Sequence, residues 1–319
     1  MMKVVNISYP LSRNAATTIP ETGMSVAIGD FDGVHLGHAQ VIDRAVDVAR
    51  RSGLKASVMT FHPHPREVLG LTGYTVCLSP IENKLEIFEQ MGVERVYIVE
   101  FDRALAALSP KDFVERFIKR LNVKHVTVGF NFTFGHRGLG TPALLRELGA
   151  GSFEVDIVEA FEMDGERVSS TLVRKALTSG DVARARKFLG RPYVVTGVVV
   201  PGEGRGRTIG VPTANVSLDK AYVFPANGVY AVRAAITTGE HAGKAYAGVL
   251  NIGTKPTFHE GVAPPVWEVH LPGFNGLLYG ERIAIQLFEK IRDERKFESA
   301  DELIRQIHRD IGEAVRLVK

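Results

Sequence analysis

Residues 24–38 read Met-Ser-Val-Ala-Ile-Gly-Asp-Phe-Asp-Gly-Val-His-Leu-Gly-His, a pattern that predicts a strand, a glycine-rich turn and the start of a helix. Apolar residues at positions 41, 42, 45, 48 and 49 continue with helical spacing, so the last histidine is expected near a helix N-terminus. Main-chain amides at such an end bind anions, and glycines allow a close approach. We therefore expect this stretch to bind a nucleotide phosphate chain. The candidate residues are Gly29, Asp30, Phe31, His35, Gly37 and His38.

His35 and His38 also have other interpretations. A His-x-x-His pair on a helix can bind a metal ion, and a single histidine can be a hydrogen-bonded turn residue. Zinc needs three or four ligands, and no third ligand follows an obvious pattern nearby. The glycines on both sides of the pair favour the phosphate interpretation.

From residue 24 to about residue 160, short β-branched runs alternate with helical patterns. Residues 57–61, 95–99 and 125–129 are strand-like, and residues 81–91 and 110–121 have helical spacing. This alternation predicts a parallel sheet covered by helices. Ligands of such sheets bind at the carboxyl ends of the strands, where the opening stretch lies.

The order of predicted elements changes after a helical stretch at about residues 169–189. The following strand-like runs are separated by Gly, Pro and Asn clusters and predict an antiparallel barrel or sandwich, followed by a helix at about residues 298–318. These runs are residues 194–200, 228–236, 245–250, 266–271 and 282–288. We predict two domains, residues 1–187 and 188–319.

The composition of the whole chain narrows the class of protein. Its 319 residues include 39 basic and 36 acidic side chains, which give a net charge of +3. Nucleic-acid-binding proteins usually carry a concentrated stripe of basic side chains, and this small excess does not predict one. The single Cys77 cannot form an internal disulfide. The start lacks the apolar core of a signal peptide, and no run approaches the ~20 apolar residues of a membrane span. We expect a cytoplasmic protein with small-molecule partners and no nucleic-acid or membrane partner, and the sequence leaves its oligomeric state open.

Two loops follow predicted strands in the first half. His62, Pro63, His64, Pro65 and Arg66 form a loop that could reach a phosphate or a flavin, or could be a rigid turn with incidental histidines. Residues 129–135 carry three phenylalanines at alternating positions, which could contact a flat ring or belong to the core. Asn131 is the most informative polar side chain of this second loop.

The helix before the domain boundary starts with hydroxyl residues. Ser170 and Thr171 are suited to a helix N-terminus, and Arg174 follows one turn later, so the group could clamp a phosphate. Simple helix capping beside a surface arginine is the alternative.

A glycine- and arginine-rich loop follows the first strand of the second half. It is neither a Walker A loop nor a dinucleotide-binding Gly-x-Gly-x-x-Gly, and no helix follows it. Gly204, Arg205, Gly206 and Arg207 could cover a triphosphate, and Thr213 and Asn215 could hold Mg²⁺ through oxygen atoms. A basic hairpin loop is the alternative.

These motifs carry a resemblance to one family. Residues 29–38, 60–66, 129–135 and 169–174 resemble, in matching order, the adenylyltransferase module of bacterial bifunctional riboflavin kinase/FMN adenylyltransferases (FAD synthetases). The second half resembles riboflavin kinases. The segments that carry this second likeness are residues 204–215, 227–230, 248–257 and 292–297.

The resemblance implies a Rossmann-like nucleotidyltransferase domain followed by an antiparallel β-barrel with a terminal helix. It implies phosphorylation of riboflavin to FMN by ATP with Mg²⁺, then adenylylation of FMN to FAD. In this assignment Glu268 is the base of the kinase, and Arg292 and Phe297 bind flavin there. The adenylyltransferase site would combine His35 and His38 with Ser170, Thr171 and Arg174, and His62–Arg66 and Asn131 would lie on its FMN side.

Glu268 and the residues after it leave alternatives. Val266, Glu268 and His270 would share one face of an alternating strand, so Glu268 could simply point outward. Pro272 and Gly273 replace the residues with which the family usually continues, so the strand end must bend differently. The alternatives are another nucleotidyltransferase fused to a weakly active flavin-binding barrel, and a flavin-binding regulatory protein.

Overall fold

The computed structural model describes residues 1–12, 19–70, 76–202, 206, 210–253 and 265–318. It divides into two compact units, Met1–Ser169 and Ser170–Lys319. Each unit has its own sheet and its own core.

The first unit contains a six-stranded parallel sheet with the order β1-β4-β3-β2-β5-β6. The strands are β1 (Lys3–Ile7), β2 (Met24–Ile28), β3 (Lys55–His62), β4 (Arg95–Glu100), β5 (Val123–Gly129) and β6 (Glu154–Val158). The helices are α1 (Leu36–Ser52), α2 (Pro65–Val68), α3 (Ile81–Gln90), α4 (Arg103–Ala106), α5 (Pro110–Arg116) and α6 (Pro142–Gly149), with 3₁₀ turns at Ile118–Leu121 and His136–Gly138. A short hairpin, β7 (Glu162–Met163) and β8 (Glu166–Arg167), ends the unit. The predicted parallel sheet is confirmed.

The centre of this sheet lies at β2, all five of whose residues are buried. One hydrophobic cluster packs α1 and α3 against the sheet, and a second cluster packs α5 and α6 against it. Strand order runs from β2 to β3 and β4 on one side and continues with β5 and β6 on the other. Because the order reverses there, the carboxyl end of β2 opens into the crevice where ligands of such sheets bind.

The second unit is a closed antiparallel barrel with the order β10-β13-β12-β11-β14-β9. Its strands are β9 (Tyr193–Val200), β10 (Ala214–Leu218), β11 (Gly228–Ile236), β12 (Ala245–Gly253), β13 (Val266–His270) and β14 (Arg282–Arg292). Its helices are α7 (Ser170–Thr178), α8 (Val182–Leu189) and α9 (Ala300–Leu317). The predicted barrel with a terminal helix is confirmed.

The elements predicted from the sequence differ from this fold in several places. The helical stretch at 169–189 is two helices, because Gly180 has a left-handed φ of 84° and Asp181 caps the next helix through the main-chain N–H of Arg184. The sequence patterns also did not predict β1, β6 and β10, whose periodic signal is short because each strand has five residues. The hairpin β7–β8 and the helices α2, α4 and α6 were missed as well, and the helix predicted at 110–121 is α5 followed by a 3₁₀ turn.

Burial separates the two faces of the barrel. Large side chains such as Trp267 and Tyr230 lie on the inner face and are fully buried. On the outer face, Val229 and Val249 pack against Ala314 and the neighbouring apolar residues of α9. The terminal helix therefore covers one part of the barrel wall.

A buried ion pair fastens α9 to β14. Nε and Nη2 of Arg292 each lie 2.9 Å from Oδ2 of Asp310, which is only 2% exposed, and Nε2 of Gln306 donates to Oδ1 of Asp310 (2.7 Å). Removing one partner of such a pair leaves the other charge without compensation.

We expect Asp310→Ala to lower the free energy of unfolding by about 3 kcal/mol, the low end of the range for a broken buried pair, because Arg292 keeps some solvent contact. Urea unfolding followed by tryptophan fluorescence measures this change, since Trp267 is the single tryptophan and lies inside the barrel. Glu313→Ala breaks only an exposed pair on the same helix and should cost less than about 0.5 kcal/mol. Equal losses in both variants would contradict the assignment.

Candidate active sites

The turn between β2 and α1 has an unusual main chain. Phe31 and Val34 adopt positive φ angles of 56° and 40°, a region that side chains with a Cβ rarely occupy, and Gly33 has φ 84°. Such backbone strain persists where surrounding structure fixes it, and it is common at ligand sites. A Cβ at Gly29 would lie 2.9 Å from the ring of Phe31, so the tight turn requires glycine there.

The two histidines lie together at the start of α1. His35 is the N-cap, and its Nδ1 accepts a hydrogen bond from the main-chain N–H of His38 (3.2 Å). A neutral His35 therefore carries its proton on Nε2. The two rings stack with centroids 3.6 Å apart, and Phe31 meets His38 edge to face at 5.3 Å. The predicted position of His38 in the first turn of a helix is confirmed.

Asp30 is fixed through both its main chain and its side chain. Its carbonyl oxygen accepts hydrogen bonds from Nζ of Lys84 (2.8 Å) and Oγ1 of Thr60 (2.9 Å). Its carboxylate lies 3.3 Å from Nε2 of His64. Burial alone raises the pKa of Asp30, but the positive charge of Lys84 and the bond to His64 outweigh it and lower this pKa to about 2. Asp30 is therefore a carboxylate at neutral pH.

Asp32 anchors the same turn to the segment before α3. Its Oδ1 accepts hydrogen bonds from the main-chain N–H groups of Leu78 (2.8 Å) and Ser79 (3.1 Å), and the residue is buried. A carboxylate that receives two such bonds is well compensated for burial. The turn is thus held to the chain that leads into α3.

The His62–Arg66 loop lies beside this turn because β3 neighbours β2 in the sheet. His64 caps α2 by accepting from the main-chain N–H of Arg66 (3.0 Å), and the same side chain contacts Asp30. His64 therefore both caps α2 and contacts the turn between β2 and α1. His62 and Arg66 are exposed.

The loop after β5 divides its side chains between the core and the surface. Phe134 is buried and stacks on Phe132, which packs against the same core, whereas Phe130 lies under the guanidinium of Arg167. Of the two roles considered for the three phenylalanines, the core role holds for Phe134. Asn131 is exposed at the carboxyl edge of the sheet.

Ser170, Thr171 and Arg174 lie in the first turns of α7, which belongs to the second unit. Their contribution to a phosphate site of the first unit stays a prediction.

Glu268 lies in a polar row on the outer face of the barrel. Trp267 and Val269 are buried inside, so Glu268 points outward, as the alternating pattern predicted. The strand register places Asn215 of β10 directly opposite Glu268 on one side and Asn251 of β12 opposite it on the other. Directly opposite residues share a face of the sheet, so two amides flank the carboxylate.

The same row continues to Arg292. Asn251 pairs with Val229 of β11, and Val229 pairs with Arg292 of β14. Three strand spacings separate Glu268 from Arg292, which is half of the way around the six-stranded barrel, and α9 covers Val229 between them. The guanidinium of Arg292 lies 5.6 Å from the ring centre of Phe297. The predicted base and Arg292 therefore lie on strands that are opposite each other in the barrel order, and Phe297 follows the end of β14.

A small cleft opens beside Thr213. Its lining is mostly apolar and includes Pro212, Leu271, Phe274 and Leu278. The carbonyl oxygen of Pro212 accepts a hydrogen bond from Nδ1 of His270 (2.8 Å), which ties the segment before β10 to the end of β13. The exposed hydroxyl of Thr213 is thus held close to the row that contains Glu268.

The residues after β13 turn sharply, as their composition predicted. The main-chain N–H of Phe274 donates to the carbonyl of Leu271 (3.2 Å), with Pro272 and Gly273 between them. Gly273 has φ 79°. Proline at the second turn position and a positive-φ glycine at the third are typical of a type II turn. Leu271 and Phe274, the first and last residues of this turn, line the cleft.

Both halves of the chain match known protein families in sequence. The family model of FAD synthetase matches residues 18–172, and that of riboflavin kinase matches residues 189–318. The bifunctional riboflavin kinase/FMN adenylyltransferase of Bacillus subtilis is 43% identical over 320 residues, covering 99% of this chain and 98% of that protein. The Escherichia coli K12 protein of the same name is 40% identical over 311 residues, covering 97% and 96%. The chain belongs to the bifunctional riboflavin kinase/FMN adenylyltransferase family.

A solved structure supports the same fold. A chain from Streptococcus pneumoniae, described as a macrolide-efflux protein, matches with a TM-score of 0.87 and 32% identity over 99% of each chain. Across the ranges given above, no helix is both long and apolar enough to cross a membrane. The family matches leave residues 173–188 between them, so the predicted boundary at 187/188 stays a prediction.

Three residues of the family's glycine- and arginine-rich loop, Gly204, Arg205 and Arg207, lie outside the described residues. Gly206 is described, and its carbonyl accepts from the main-chain N–H of Val211 (2.8 Å). A Cβ at Gly202 would overlap the amide of Asn215. The side chain of Asn215 therefore lies directly over the start of the loop.

A metal site needs several ligating side chains that converge on one point. Within the part of the chain that the structure describes, no three His, Cys, Asp or Glu side chains come together as a metal site. The row of Asn215 and Glu268, with Thr213 nearby, offers oxygen atoms instead, which is the donor set that Mg²⁺ prefers.

Two residues near these sites were missed by the sequence analysis as site residues. Lys84 was hidden in a helical pattern 54 residues from Asp30. Asn251 was noticed only as part of a longer matching segment, although a polar residue in a largely buried strand was an available signal.

Proposed function

We propose that this chain makes flavin cofactors in two steps, with one active site in each unit. The second unit transfers the γ-phosphoryl group of ATP to riboflavin, and the first unit transfers AMP from ATP to FMN with release of pyrophosphate. The observation that carries the kinase step is the row Asn215–Glu268–Asn251 on the outer face of the barrel.

In the kinase step, Glu268 is the general base. The ribityl 5′-hydroxyl loses its proton to the carboxylate as the oxygen attacks the γ-phosphorus, and ADP leaves. Asn215 and Thr213 would hold Mg²⁺, which neutralises phosphate charge when it is bound. Arg292 and Phe297 would contact the flavin ring.

The adenine of ATP would lie in the cleft beside Thr213. The apolar side chains of Leu271 and Phe274 offer surface to a flat base, and Thr213 at the edge faces the phosphates. Nδ1 of His270 holds the segment that carries Thr213. The cleft and the row would then bind the two substrates from different directions.

In the adenylyl transfer, the FMN phosphate is already an anion and needs no base. Catalysis consists of aligning it with the α-phosphorus of ATP and neutralising charge there and on the leaving pyrophosphate. The amides at the start of α1 and the Nε2–H of His35 are suited to this task, together with His38. His62–Arg66 and Asn131 would contact FMN.

Incubation of the purified protein with riboflavin, ATP and Mg²⁺ tests both steps. We expect chromatography to show FMN first and FAD later, with no product when Mg²⁺ is chelated. Accumulation of FMN alone would contradict the adenylyl transfer and favour a different nucleotidyltransferase. Unchanged riboflavin would contradict the kinase and favour a flavin-binding protein.

A further inference from the structure

The turn between β2 and α1, residues 29–35, is called the phosphate turn below. The face of α3 that meets it carries two side chains one helical turn apart. Lys84 reaches the carbonyl of Asp30, and Phe88 meets the ring of Phe31 edge to face at 6.0 Å. Both side chains are buried, Lys84 with only 6% of its surface exposed. Residues four apart lie on the same side of a helix, so α3 contacts two consecutive residues of the turn.

A buried lysine is costly unless its charge is compensated. Nζ of Lys84 donates to the carbonyl of Asp30 and lies 3.5 Å from Oγ1 of Thr60, which donates to the same carbonyl. The carboxylate of Asp30 is attracted by the same ammonium, which contributes to its lowered pKa. The carbonyl and the carboxylate of Asp30 therefore both compensate the buried charge of Lys84.

The peptide after Asp30 leads into the strained residue Phe31, whose ring contacts His38 at 5.3 Å. Holding the Asp30 carbonyl fixes the orientation of that peptide and of the ring beyond it. Without the hydrogen bonds to the Asp30 carbonyl, the strained main chain at Phe31 relaxes from its positive φ angle. The histidine and the amides that face the phosphates then lose their alignment.

We propose that Lys84 is a positioning residue for adenylyl transfer: it holds the Asp30 peptide and thereby keeps the phosphate turn and His38 in their reactive arrangement. It acts through the turn and does not contact the substrates. This inference rests on the proposed adenylyltransferase function of the first unit.

The test compares Lys84→Met with the wild-type chain in the conversion of FMN to FAD. We expect kcat to fall about 100-fold, because a displacement of about 1 Å at a reacting group costs about that factor. The KM values for FMN and ATP should stay within about threefold. Riboflavin kinase activity of the same molecules should be unchanged, since Lys84 lies in the first unit.

Lys55→Met is the matched control, because Lys55 forms an exposed ion pair with Glu94 (2.8 Å) in the same unit. We expect wild-type kcat from this variant. A wild-type kcat in Lys84→Met would overturn the proposal, as would an increase in KM alone. If the wild-type chain itself makes no FAD, the proposed function fails, whereas FAD from wild type with an unaffected Lys84→Met refutes only the role of Lys84.

If Lys84→Met does not fold, Thr60→Val provides a second test of the Asp30 carbonyl. This variant has nearly the same shape and removes the second donor to the Asp30 carbonyl. We expect kcat for FAD formation to fall about tenfold, the factor that corresponds to one hydrogen bond of about 1.4 kcal/mol. An unchanged kcat would count against a role for this carbonyl. In a folded double variant, the two effects should combine to less than their product, because both act on one acceptor.

Discussion

Glu268→Gln should reduce the phosphorylation of riboflavin by about 10²- to 10⁴-fold, the usual contribution of a positioned general base. Glutamine keeps the shape of the side chain between Asn215 and Asn251 but cannot accept the hydroxyl proton in the reaction. We expect the KM values for riboflavin and ATP to change little. Initial rates of FMN formation, measured by chromatography with ATP in excess, give the comparison.

The first unit supplies an internal control for this variant. FAD formation from added FMN should continue at the wild-type rate, because Glu268 lies in the other unit. Glu289→Gln makes the same chemical change at an exposed position of β14 and should leave both reactions intact. Retention of kinase activity in Glu268→Gln would show that the carboxylate is an ordinary outward-facing side chain.

The row that contains Glu268 was only partly predictable from the sequence, because its residues come from three different strands. The alternating pattern of β13 correctly predicted that Glu268 points outward. Its two amide neighbours come from β10 and β12, and their alignment with Glu268 depends on the register of the closed barrel. Periodicity within one strand carries no information about that register, so Asn251 could not be placed beside the base.

The first unit shows the same limit in another form. The strand, turn and helix at residues 24–38 are local, so composition and spacing were sufficient to predict them. Asp30, in contrast, is held by Thr60 and Lys84, which reach it from β3 and α3. The spacing of α3 indicates which face is apolar, but a buried lysine on that face violates the pattern and becomes meaningful only through its partner.

Helix α7 illustrates a limit of motif reading. Ser170, Thr171 and Arg174 follow the order of an adenylyltransferase motif, yet α7 belongs to the same compact unit as the barrel. A motif records chain order, whereas unit membership depends on packing between distant residues. The contact of α8 with the barrel, such as Arg186 over the ring of Phe288 at 4.9 Å, is of this second kind.

His38→Ala should reduce the conversion of FMN to FAD by about 10²- to 10³-fold, the cost of losing one group that stabilises developing charge. The main-chain hydrogen bond from residue 38 to His35 does not involve the deleted ring, so the helix start should persist. In an assay that begins with riboflavin, we expect FMN to accumulate, because the kinase is intact. His308→Ala removes an exposed histidine from α9 and should give normal FAD.

Mixing the two inactive variants gives the sharpest test of independent sites. His38→Ala protein retains the kinase and releases FMN, and Glu268→Gln protein retains the adenylyltransferase and consumes it. We therefore expect FAD to form from riboflavin in the mixture although neither variant makes it at an appreciable rate alone. The rate should increase with the concentration of Glu268→Gln protein, because FMN must diffuse between molecules. A mixture that accumulates FMN without FAD would mean that an intact Glu268 is needed for adenylyl transfer, and the assignment of one reaction to each unit would be wrong.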